Sequence, residues 1–91
     1  MERKEVYRLI DGERAYQDKW DIERASKALP TRDKYANVET WLLWMDEYMA
    51  RAKKAAAENV VKTPVLDIVR KITALGVACM EYVDGTPERK S

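Results

Sequence analysis

The chain has 91 residues, 46% apolar and 36% charged, and its 17 basic and 16 acidic side chains leave a formal charge of +1. That describes one small, charge-coated domain, too short for a Rossmann unit with a substrate domain, an eight-fold βα barrel or a kinase. The balanced charge offers no net attraction to a polyanion, so a nucleic-acid partner is not expected. The absence of histidine removes imidazole general bases and His-containing zinc sites.

The first apolar stripe runs over residues 2–20, where Val6, Leu9, Ile10, Tyr16 and Trp20 recur every three or four positions with charges between them. Asp11-Gly12 can be a turn, but the stripe keeps its phase across it, which favours a continuous or slightly bent helix. Residues 21–29 can add a short helical turn before Pro30, and residues 31–34 read as loop. Asn37 is a good N-cap for a second helix over 38–58, with Glu39 near the positive end of its dipole. Val38, Trp41, Leu42, Met45, Tyr48, Met49, Ala52, Ala55 and Ala56 make a wide apolar stripe there, with Leu43 and Trp44 outside it. Thr63-Pro64 opens a third helix over 64–84, stopped by Gly85. Its residues from Val65 to Val83 leave little polar circumference, which makes it the central helix.

These elements predict one all-α domain over 1–87, an antiparallel bundle of three or possibly four helices, with 88–91 as a loose tail. Surplus apolar surface on the second and third helices predicts a homo-oligomer. The charged start Met1-Glu2-Arg3-Lys4-Glu5 is followed by no signal-peptide core, and no uncharged apolar run reaches 18 residues. The expectation is therefore a cytoplasmic protein without a membrane partner.

Few side chains suit catalysis. Cys79 lies in an apolar helix with no histidine to activate it and reads as a buried structural cysteine. Ser26 and Ser91 have no base, and no phosphate-binding glycine loop occurs. Carboxylates from facing helices can hold magnesium, and Glu39, Asp46 and Glu47 on the second helix with Asp67 and Glu81 on the third are the candidates, although all of them also suit a solvated face. On the first helix Trp20 can stack on a base while Arg14 and Lys19 meet phosphate, or Tyr16 and Trp20 can simply be core. Trp41 and Trp44 cannot both face one core, so Trp41, Leu43 and Trp44 are the expected interface residues.

Glu13-Arg14-Ala15-Tyr16-Gln17-Asp18-Lys19-Trp20, Trp41-Leu42-Leu43-Trp44-Met45-Asp46-Glu47, and Arg70-Lys71-Ile72 through Ala78-Cys79-Met80-Glu81 resemble small phage and prophage proteins. These in turn look like distant relatives of the MazG-like all-α nucleotide pyrophosphohydrolases, and the likeness spans most of the chain. The resemblance implies a helical scaffold and, in an intact enzyme, magnesium-dependent hydrolysis of a nucleoside triphosphate to monophosphate and pyrophosphate. Here Ala50 stands where the family's EExxE motif has its last acid, and Lys71 stands where a further acidic or polar residue is expected. A cation in a carboxylate's place opposes magnesium. The resemblance implies a phage-type protein, and the missing catalytic groups with the surplus aromatic surface imply binding. The expectation is a non-catalytic, cofactor-free accessory protein that antagonises a host defence process, by binding a host protein or sequestering a nucleotide signal. Arg14, Lys19 and Trp20 are its expected contacts. The alternative is the hydrolase itself, with Asp46, Glu47 and Asp67 as metal ligands.

Overall fold

The computed structural model describes residues 1–30, 36–86 and 88–89, and those residues form three helices and no strand. Helix α1 is Arg3–Ser26, α2 is Val38–Glu58 and α3 is Thr63–Tyr82. The expected loop at 31–34 and the end of the tail (Lys90 and Ser91) lie outside the described residues. None of the described helices is long and apolar enough to cross a membrane.

Helix α1 passes through Gly12 without a break and runs six residues beyond Trp20. Its end is set by the backbone: the Leu29 N–H donates to Arg24 O at 2.9 Å and the Ala28 N–H to Ala25 O at 3.1 Å. This is a Schellman turn, whose left-handed position usually holds glycine. Ala28 fills it at φ 54°, at a cost of about 1–2 kcal/mol for a residue with a Cβ. The Arg24 Nε donates to Pro30 O and fastens the chain beyond the turn.

Helix α2 starts as the Asn37 side chain predicts, its Oδ1 accepting from the Thr40 N–H at 3.0 Å. At the other end the Asn59 Nδ2 donates to Ala55 O, and the Lys62 Nζ donates to Ala56 O at 2.8 Å and Asn59 O at 2.7 Å. Carbonyls that the last turn would leave unpaired are thus satisfied within the short 59–62 connection. A link that short forces α3 to return antiparallel to α2. Trp41 stacks on Tyr82 at 6.1 Å, and a Cβ placed on Gly76 would lie 3.9 Å from the Met45 sulfur. These two contacts fix the register of the pair.

The core lies between α2 and α3. Trp41, Leu75, Ala78 and Cys79 are buried, with Trp44, Met45, Tyr48, Tyr82 and Val83 packed around them. Burying Trp41 and Leu75, each 1% exposed, contributes roughly 1.5–3 kcal/mol apiece. The Trp41 indole N–H has no hydrogen-bond partner among the described residues, which offsets part of that gain by about 1–3 kcal/mol.

The seam between α1 and α3 has a different chemistry. Besides Ile10, the buried residues of α1 are Glu13, Arg14, Gln17 and Asp21. The expected apolar stripe is only partly used, since Val6 and Tyr16 are exposed and Trp20 is half-buried. Helix α3 packs against both other helices, whereas α1 and α2 make no close approach to each other among the described residues. The molecule is therefore an open bundle. Its radius of gyration is 14.7 Å, against about 12 Å for a compact domain of this length.

Candidate functional site: an aromatic and cationic cleft

Because α1 and α2 lean on α3 with their backbones apart, they leave a cleft whose floor is Lys71 and Leu75 of α3. Two adjoining hollows of about 300 and 340 Å³ share Trp20 and Tyr48. Glu13, Tyr16, Gln17, Lys71 and Leu75 complete the first, and Arg24, Pro30, Trp44, Glu47 and Arg51 complete the second.

Helical spacing supplies the walls. Trp20 and Arg24 are one turn apart on α1, as are Trp44, Tyr48 and Arg51 on α2, so each set falls on one face. The Arg24 guanidinium lies 4.5 Å over the Trp20 ring, and that of Arg51 lies 4.9 Å over Tyr48. Such stacking holds a cation near an aromatic face while leaving N–H groups at the rim for an anion. Neither arginine forms a salt bridge among the described residues, whereas Lys71 pairs with Asp67 at 3.5 Å and Glu13 with Arg70 at 3.0 Å. The arrangement can stack a planar ring and place guanidinium groups beside it.

The residues expected to act together are dispersed. Arg14 is built into the α1–α3 seam, with Nε and Nη2 donating to the two Glu81 oxygens at 3.0 and 2.9 Å, and with Gln17 and Asp18 as further acceptors. Its guanidinium also lies 5.9 Å over Tyr82. The hydrogen bond to Glu81 raises its pKa above an already high value, against the opposing effect of burial, and Asp18 adds to the rise. Arg14 is thus a structural cation and is withdrawn from ligand contact. Lys19 points to solvent, 3.9 Å from Glu23. Of the three expected contacts on α1, Trp20 alone lines the cleft.

On α2, Trp41 is core rather than interface. It meets Trp44 edge-on at 4.9 Å with planes at 80°, so both rings are accommodated by one core, Trp44 at its margin and in the cleft wall. That geometry lets two indoles three residues apart share a core, which the expectation of divergent directions excluded. Leu43 is 65% exposed.

Asp46 and Glu47 are exposed on α2, while Asp67 is engaged by Arg70 and Lys71 on its own helix. No group of three or more potential metal ligands converges among the described residues. Tyr48, Arg24 and Arg51 were not singled out by sequence as contacts, and Lys71 only as a cation opposing magnesium, although the one-turn spacing of aromatic and arginine at Trp20/Arg24 and Tyr48/Arg51 was there to be read. What the sequence lacked was the knowledge that two distant helices would face each other across an open gap. Comparison with family models, with curated protein sequences and with solved structures gives no match for this chain.

Proposed function

We propose that this is a non-catalytic accessory binding protein of the phage type, which antagonises a host process by sequestering a nucleotide in the cleft between α1 and α2. The observation that carries this reading is the convergence of Trp20, Tyr48 and Trp44 with Arg24, Arg51 and Lys71 around one opening. Aromatic faces accept a base whatever its sequence identity, and guanidinium forks match phosphate oxygens. The hydrolytic alternative would need Asp46, Glu47 and Asp67 together, and they are not.

Titration with ATP or GTP, followed by tryptophan fluorescence and calorimetry, tests the reading. The nucleotide should quench the signal, should be recovered unhydrolysed with magnesium present, and should lose affinity at least tenfold in Trp20→Ala or Arg51→Ala. Absence of heat and quenching for any purine nucleotide would refute nucleotide binding. A second reading, occlusion of a host protein, is favoured by the adjacent exposed side chains Leu42 and Leu43. A complex that Leu43→Asp disrupts, and that forms without nucleotide, would establish it instead.

A further inference from the structure

Helix α3 carries an apolar seam on the side away from the cleft. Leu66, Val69, Thr73, Val77 and Met80 follow one another at steps of three and four, symmetric about Thr73, the repeat that keeps one seam of a helix facing a partner helix. Leu66, Val69 and Met80 are 64%, 43% and 62% exposed. Leu75 lies two positions beyond Thr73, on the opposite side of the helix, so the seam and the cleft floor do not compete. Beside the first half of the seam, Val6, Leu9 and Ile10 of α1 join Leu66, Val69 and Thr73 around an apolar groove of about 460 Å³.

We propose that this seam is occupied by the same seam of a second copy, with the two α3 helices antiparallel about a two-fold axis at Thr73. The proposal is independent of what the cleft binds. Three observations support it. The chain exposes 7318 Å², whereas a compact protein of its mass exposes about 5,500 Å²; the excess surpasses the roughly 800 Å² that each partner gives up in a standard interface. About Thr73, the antiparallel register sets Leu66 against the partner's Met80 and Val69 against the partner's Val77, so each copy's Met80 enters the other's groove. Thr73, exposed at the crossing, is small enough for close approach of the backbones.

Charge selects the orientation. Lys62 and Asp84 each lie 11 positions from Thr73. Asp84 follows a last turn without a base, at the unfavourable end of the α3 dipole, while Lys62, the N-cap of α3, has two of its ammonium N–H groups on Ala56 O and Asn59 O and one to spare. An antiparallel copy brings the partner's Asp84 to Lys62 and the reverse, and opposes the two dipoles. A parallel copy would set Lys62 against Lys62 and Asp84 against Asp84.

The test is sedimentation velocity on the intact chain, with circular dichroism to verify folding. Wild type should sediment as a dimer of the 10.6 kDa protomer. Thr73→Glu, an exposed change, should raise the dimer dissociation constant at least a hundredfold while keeping helicity. Orientation is read by disulfide formation in a Cys79→Ala background: Leu66→Cys and Met80→Cys proteins should cross-link with each other when mixed, and neither with itself. A monomeric mass at concentrations up to about 100 μM, weaker than roughly 5 kcal/mol of association, would overturn the proposal. So would a dimer indifferent to Thr73→Glu, or cysteine variants that cross-link only with themselves.

Discussion

Glu81→Ala isolates what the charged seam between α1 and α3 contributes. The change leaves the Arg14 side chain, 9% exposed, with Asp18 at 3.3 Å and Gln17 at 3.2 Å but without its bidentate partner. Breaking a fully buried ion pair costs about 3–5 kcal/mol, and an exposed pair is worth about 0–1 kcal/mol. The Glu81 side chain is 45% exposed, so solvent screens the pair and Asp18 retains part of the field. The expected loss is about 2 kcal/mol, or roughly 10 °C in Tm for a chain this size. Thermal and urea unfolding should give that value for Glu81→Ala, and a double-mutant cycle with Arg14→Met should return most of it as coupling. Glu23→Ala is the control, since its pair with Lys19 is long and solvent-exposed, and it should change stability by less than about 0.5 kcal/mol. Because Arg14 has its pKa raised from an already high value, its contribution is complete below the unfolded-state value and is lost only above it. No decline between neutrality and pH ~10 should therefore come from Arg14. If Glu81→Ala matches the control, the seam is not what holds α1 to α3.

Ala28→Gly should stabilise the protein by about 1 kcal/mol, because the φ of 54° at that turn costs glycine nothing; an unchanged or lower Tm would contradict the turn. Leu75→Ala, at a position 1% exposed between the cleft floor and α2, should cost about 2–5 kcal/mol by urea unfolding. Magnesium or manganese should leave Tm unchanged, since the candidate acids do not converge. A rise that Glu47→Gln abolishes would restore the hydrolytic reading.

The α2–α3 half of the fold was legible because its signals are local and mutually consistent. Asn37 caps where it stands, Thr63-Pro64 opens α3, and the apolar spacings from Trp41 and Leu75 share one period. Helix α1 was less legible at both levels. Its last turn ends on an alanine in a left-handed conformation, so no glycine marked the stop after Ser26. Its buried face is made of Glu13, Arg14, Gln17 and Asp21, whose burial depends on partners such as Glu81 and Arg70, 67 and 57 residues away. A reading by hydrophobic period assigns such residues to solvent. The same limit hid the cleft, whose walls become a site only when two helices distant in sequence are placed on either side of a third.

That separation divides the molecule mechanically. Helices α2 and α3 share an aromatic core with a short connection, while α1 is fastened through Ile10 and a few ionic clips to α3. The pair is one cooperative unit and α1 another, attached with a lower free energy of opening. In hydrogen exchange, amides of α1 should therefore lose protection before those around Trp41 and Leu75. Since the clips are ionic, added salt should speed exchange in α1 while leaving the amides around Trp41 and Leu75 unchanged.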